Sequence, residues 1–231
     1  MDKGTGKLVI TVDGPAGAGK STVSKMLARQ LGYVYVDTGA MYRAVAVLTR
    51  GSGQANLLDE TLLEEICSGL DLQFVYNDNI LRLLVNGEDI TEEIRKPEIS
   101  SLASAVSAIA VVRERLTRIQ REMGARGGVV FEGRDIGTVV FPHADVKFFL
   151  DASPEIRSRR RHLELEATGE EVSFEEVYEQ MLVRDRNDQT RQLAPLRPAG
   201  DATVVDSTNL QIEEVVQIML DHVEAKRLEI S

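Results

Sequence analysis

The chain has 231 residues and a net charge of -10, enough for one α/β core with appendages but little room for two independent domains, and a poor match to a nucleic-acid polymer. With 43% hydrophobic residues and no low-complexity tract it can bury a proper core. Its single cysteine, Cys67, excludes an intrachain disulfide, and the apolar run from Leu8 to Val12 is too short for a signal peptide or membrane span, so a cytoplasmic protein without membrane partners is expected.

In chain order, Leu8-Val-Ile-Thr-Val12 is a β-branched run that leads into Asp13-Gly14-Pro15, and residues 21–31 carry apolar side chains at helical spacing. Strand, tight loop and helix are predicted there. A second strand over 33–36 ends at Asp37-Thr38-Gly39 and a helix over 40–48 follows, a rhythm that argues for a parallel sheet covered by helices. The rhythm breaks at 72–76 and 80–85, which flank Asn77-Asp78-Asn79 as in a hairpin; Asn86-Gly87 offers a second turn. Residues 57–97 are therefore predicted to be an inserted antiparallel subdomain. Helical periodicity resumes over 98–123, two more core strands are predicted at 128–131 and 146–150, and a last strand at 203–205 precedes a helix over 210–228.

Gly14-Pro15-Ala16-Gly17-Ala18-Gly19-Lys20-Ser21, followed by Thr22, has the spacing of a P-loop and sits between a strand and a helix, where such a loop must sit. Its glycines let successive backbone N–H groups face phosphate oxygens, and the helix N-terminus adds partial positive charge. Lys20 would neutralise charge as it develops on an ATP γ-phosphate, and Ser21 would place its hydroxyl directly on Mg²⁺. The loop alone does not name a reaction, since switches, motors and kinases share it. No Asn-Lys-x-Asp guanine-reading motif follows, so a GTPase switch is disfavoured.

A kinase needs a second anion pocket, and the 20 arginines against 7 lysines are suited to one. Arg43 lies one turn into the helix after Thr38 and Gly39: it either reaches back to an anion or lies on a solvated face. Arg134 and Asp135 follow the strand ending near Phe131, where ligands gather in parallel sheets; they either serve a ligand or pair with each other. Arg184, Asp188 and Arg191 have spacings that a helix would place on one face, as part of a site or as a surface ion-pair ladder. His143, His162 and His222 stand in no triad or metal-ligand spacing.

The order of Gly14-Pro-Ala-Gly-Ala-Gly-Lys20, Asp37-Thr-Gly-Ala-Met-Tyr-Arg43, Glu132-Gly-Arg-Asp-Ile-Gly-Thr-Val-Val-Phe-Pro142 and Arg184-Asp185 through Arg191 resembles cytidylate kinases of the bacterial type over essentially the whole chain. The resemblance implies a three-layer α/β P-loop kinase core with a parallel five-stranded sheet, a small antiparallel β-containing insertion at 57–97 and a helical lid at 152–198. It implies MgATP-dependent phosphorylation of CMP and dCMP by a monomer. By similarity Arg43, Arg134 and Arg191 hold the acceptor phosphate, Ser104, Arg113 and Asp135 read cytosine, and Arg184 and Asp188 hold the ribose. Thr38 stands where the family commonly has Ser. Catalysis would rest on Lys20, Arg134 and Arg191.

Arg160, in the basic run after Pro154, is the candidate for contacting ATP phosphates. Asp13 and Asp37 are candidates for supporting Mg²⁺ through water, with Asp37 equally suited to capping the helix that follows it. Ser104 and Arg113 are nine residues apart, on opposite faces of one unbroken helix; to share a base they require a break near 108–111. Two other readings remain at this point: a kinase for another small acceptor such as UMP, dTMP or shikimate, and a protein that uses ATP as a switch.

Overall fold

The structure, a computed structural model, describes residues 7–77 and 80–230. Its larger sheet has five parallel strands in the order β2-β6-β1-β7-β8: β1 (Val9–Asp13), β2 (Val34–Asp37), β6 (Val129–Gly133), β7 (Val146–Asp151) and β8 (Thr203–Asp206). β1 is central and buried, as its β-branched composition requires. Register pairs Val12 with Glu132 and Asp13 with Gly133 on one side, and Asp13 with Phe149 on the other. The carboxyl ends of β1 and β6 therefore finish level. Around the sheet, α1 (Lys20–Leu31) stops at Gly32, whose left-handed backbone closes the helix end. α6 (Pro154–Ala167) starts at a Ser153 cap with Pro154 in its first turn, α7 (Phe174–Thr190) starts at a Ser173/Glu176 capping box, and α8 (Ile212–Ile230) closes the chain.

The chain forms two compact units, one from the segments up to Tyr35 and from Arg126 onward, the other from Val36–Ala125. The second unit is wider than the segment 57–97, because one apolar core joins α2 (Thr38–Gly51), α3 (Glu60–Ser68), α4 (Pro97–Val106) and α5 (Ala110–Gly124) to the antiparallel strands β3 (Leu72–Asn77) and β4 (Ile80–Val85), with the exposed β5 (Glu88–Asp89) paired to β4. Met41, Leu63, Val106, Val112 and Leu116 are fully buried there, each a contribution on the order of 1.5–3 kcal/mol. Asn86 and Gly87, both at positive φ, make the predicted turn between β4 and β5. The other predicted turn falls on residues 78 and 79, outside the described residues. The helix break falls at 107–109: α4 ends at Val106, Ile109 is extended (φ -88°, ψ 130°), and α5 begins at Ala110.

Candidate active site

In the unit that holds the large sheet, β1 ends at Asp13 and the chain wraps through Gly14–Gly19 before α1 begins at Lys20. Gly14 has φ +146°, and a Cβ there would lie 2.0 Å from the Leu150 carbonyl oxygen. Neither the dihedral nor the space admits a side chain, so Gly14→Ala is expected to destabilise the fold by roughly 3–5 kcal/mol. A urea midpoint equal to wild type would show instead that the loop can move off β7.

Lys20 is almost fully buried, and its Nζ donates to the Pro15 carbonyl at 2.6 Å. Burial, and then the neighbouring Arg134 and Arg184 guanidinium groups, pull its pKa down to about 7, against the opposing carboxylates of Glu132 and Asp13. The fold thus brings two guanidinium groups within electrostatic reach of the lysine of the loop. Ser21 Oγ donates to Glu132 Oε1 at 2.8 Å, and Glu132 Oε2 accepts from the Tyr35 hydroxyl. Sequence reasoning gave Glu132 no role, although a carboxylate ending the otherwise apolar strand Val129-Val-Phe was a usable signal.

The cation carriers are cross-braced rather than paired as neighbours. Arg134 Nε donates to Asp188 Oδ2 at 3.0 Å, and Arg191 Nη2 donates to Asp135 Oδ1 at 3.1 Å. Asp135 and Asp188 are both buried. Arg184 and Asp188 lie one turn apart on α7, but Arg191 does not continue the helical face. α7 ends at Thr190, and Arg191 is extended (φ -59°, ψ 141°) with Nε on the Ala194 carbonyl at 2.6 Å. The spacing was right for a helix that stops one residue too soon, ahead of Ala194 (φ 51°) and Pro195.

Asp13 accepts from the backbone N–H of Ile136 at 2.9 Å and of Gly137 at 2.7 Å, one through each carboxylate oxygen. Its pKa is raised to about 6, chiefly by burial and partly by Asp135, against the two N–H groups and Lys20. Arg160 directs its guanidinium to Ser207, at 3.1 Å to Oγ and 2.8 Å to the carbonyl, and lies 3.5 Å from the Ala18 carbonyl of the phosphate loop. Its donors are thus engaged beside the loop.

Within the second unit, Asp37 caps α2 by accepting from Ala40 N at 3.0 Å and pairs with Arg43 at 2.7 Å. Thr38 is buried at the first position of the same helix. The break after α4 turns Arg113 back: Nη1 donates to the Ser107 carbonyl at 3.0 Å, while Ser107 Oγ donates to the Ser104 carbonyl at 2.7 Å. Ser104 and Arg113 are thus linked through Ser107, and the Arg113 guanidinium lies 5.8 Å from the centre of the Tyr42 ring.

For Mg²⁺ the residues fit. Among the described residues no cluster of three or more His, Cys, Asp or Glu could cage a metal. A small cation that keeps most of its waters needs few protein ligands, and here one hydroxyl stands against one carboxylate next to a phosphate cradle.

A family model described as cytidylate kinase matches residues 10–225. The chain is 53% identical over 212 residues to a cytidylate kinase of Geobacter sp. (strain M21), covering 92% of this chain and 91% of that protein. It is 54% identical, with the same coverage of both, to a cytidylate kinase of Geobacter sulfurreducens. Among solved structures, the shikimate kinase of Bacteroides thetaiotaomicron aligns with a TM-score of 0.50 and 16% identity over 94% of this chain and 98% of that one, a likeness of fold.

Proposed function

The chain belongs to the cytidylate kinase family, and from that premise we propose that it transfers the γ-phosphoryl group of ATP to CMP and dCMP with the residues described above. What carries the reading is Lys20, buried in the phosphate loop with its Nζ on the Pro15 carbonyl and depressed first by that burial and then by the neighbouring Arg134 and Arg184 guanidinium groups. A polyphosphate brought there relieves that repulsion. The loop 14–21, with Thr22, holds ATP, and Arg160 supports it from the side.

An oxygen of the acceptor phosphate, already anionic at neutral pH, bonds to the γ-phosphorus as the bond to the β,γ-bridging oxygen breaks and ADP leaves. No side-chain base is required. Lys20, Arg134 and Arg191 meet the charge that spreads over the transferred group, and Arg43 and Thr38 hold the acceptor phosphate in line. Ser104, Arg113 and Asp135 read the base: cytosine offers an N4 donor where uracil offers a carbonyl, which favours a carboxylate opposite it. Arg184 and Asp188 take the ribose. Mg²⁺, when bound, would supply charge neutralisation on the ATP phosphates. Ser21 would ligate it through the hydroxyl that donates to Glu132, and Asp37 and Asp13 would support it through water.

In this proposal 57–97 belongs to the acceptor-binding part, and 152–198 acts as a lid that excludes water during transfer. The enzyme works as a cytoplasmic monomer without polymer nucleic acid, in keeping with its net charge of -10. No helix among the described residues is long and apolar enough to cross a membrane.

The test is ADP release with MgATP against CMP, dCMP, UMP, dTMP, AMP and GMP. CMP and dCMP should turn over fastest, and Asp135→Ala should reduce the preference for CMP over UMP by roughly 10- to 100-fold. Equal or faster turnover of another acceptor would keep the phosphoryl-transfer core and remove the assigned base reading.

A further inference from the structure

Asp13 ends β1, immediately before the phosphate loop, yet neither of its carboxylate oxygens is directed at that loop. They take the N–H groups of Ile136 and Gly137, at 2.9 and 2.7 Å. Those are the first two N–H groups of the helical turn Ile136–Val140, which starts directly after Arg134 and Asp135 and has no cap from Asp135 itself. Val139 N at 2.9 Å, Val140 N at 3.4 Å and Thr138 Oγ1 at 3.3 Å donate to the Asp135 carbonyl. The start of the turn is thus held by the Asp13 carboxylate as well as by the Asp135 carbonyl. The approach is close: a Cβ on Gly137 would stand 2.9 Å from Thr11 Oγ1 and 3.3 Å from Asp13 Oδ2.

From this geometry we propose that Asp13 is a positioning residue for acceptor recognition: by clamping the N–H groups of Ile136 and Gly137 it fixes the direction of Arg134 and Asp135, and so the affinity for CMP and the preference for its base. The proposal rests on the reading in which Arg134 holds the acceptor phosphate and Asp135 reads cytosine. It moves Asp13 away from metal support. A carboxylate is needed because it presents two acceptors and no donor. An asparagine would oppose one backbone N–H with its own amide N–H, so that the turn could not keep both bonds.

The experiment compares wild type, Asp13→Asn, Asp13→Glu, Asp135→Ala and the double variant Asp13→Asn/Asp135→Ala, with KM and kcat for CMP and UMP at saturating MgATP and with free Mg²⁺ varied. For Asp13→Asn the KM for CMP is expected to rise about 10-fold or more, since small misplacements of positioning groups have effects up to about 100-fold. The preference for CMP over UMP should fall, while the KM for ATP and the Mg²⁺ required for half-maximal rate stay within about 2-fold. In the Asp135→Ala background the same substitution should change the base preference no further, as groups acting through one another are not additive. If the Asn variant does not fold, Asp13→Glu, which keeps two acceptors but displaces them by one methylene, carries the same expectation. A raised Mg²⁺ requirement with unchanged CMP kinetics would overturn the proposal in favour of metal support, and a folded Asn variant with wild-type kinetics would overturn it outright. Asp135→Ala with an unaltered base preference would instead remove the base-reading assignment on which the proposal stands.

Discussion

Lys20→Met is expected to lower kcat by about 1000-fold, the scale on which single preorganised charges act in such reactions, with a melting temperature equal to or above that of wild type. The two halves of that expectation have one cause. Lys20 is buried beside Arg134 and Arg184, so its ammonium form is unfavourable in the folded chain, and its pKa lies near 7 rather than at its ordinary value. The same placement lets it meet charge developing on a transferred phosphoryl group without solvent to rearrange. Methionine fills similar volume without the desolvated charge.

The pH dependence has a definite sign. Above pH 7 and up to the ordinary lysine range, the unfolded chain binds more protons at this site than the folded one, so stability rises with pH across that window. This contribution is fully present above the unfolded pKa and is lost as pH falls through the folded value. Lys20→Met removes that slope. Thermal melts of both proteins at pH 7 and pH 9 read it, and a variant with clearly lower stability at both pH values would show that the lysine supports the loop rather than straining it. Nucleotide phosphates should restore the charge, so ATP binding near pH 8 takes up protons, measurable by calorimetry in buffers of different ionisation enthalpy.

The parts of this fold that are legible in the sequence are those set by local rules. Val9–Asp13 is β-branched and followed by glycines, and α1 is stopped by Gly32; the strand, loop and helix follow from residue chemistry at short range. The break between α4 and α5 was foreseeable from a geometric conflict between Ser104 and Arg113, and Arg113 does turn back to the Ser107 carbonyl. Contacts set by strand register are not legible in this way. Glu132 meets Ser21 only because β6 lies parallel to β1 with Val12 opposite Glu132, across 111 residues of chain. The exchange of partners, Arg134 with Asp188 and Asp135 with Arg191, likewise depends on where α7 returns. Sequence offered the local alternative, Arg134 with its neighbour Asp135. The extent of the second unit was obscured because α2, α4 and α5 read as ordinary amphipathic helices, and nothing in their periodicity says which core they cover.

Asp185→Ala is expected to destabilise the protein by about 3–5 kcal/mol, although Asp185 is one of several carboxylates on a polar helix and touches no proposed substrate group. Its Oδ2 accepts from Arg157 Nη2 at 2.6 Å, and both side chains are buried. Arg157 also donates to the Ala152 carbonyl at 2.8 Å and, through Nη1, to the Ala16 carbonyl of the phosphate loop at 3.1 Å. Around this pair Ala16, Val177 and Met181 form a small apolar cluster that seats the loop on α7. Removing the carboxylate alone leaves a guanidinium buried without its counter-charge. Removing both charges, as in Arg157→Met/Asp185→Leu, should recover most of the loss, because well-packed apolar groups commonly replace a buried ion pair at little cost. Asp185 Oδ1 has no hydrogen-bond partner among the described residues, which further lowers what the pair contributes. Urea denaturation of the two variants decides the matter: a single-variant loss below about 1 kcal/mol would mean that the charge reaches water after all. Activity should not follow stability. The apolar pair cannot donate to the Ala16 carbonyl, and it releases the link from the loop to α7, which carries Arg184 and Asp188. A stable double variant with raised KM for both ATP and CMP is therefore the expected result, and wild-type kinetics in that variant would confine the ion pair to holding the fold.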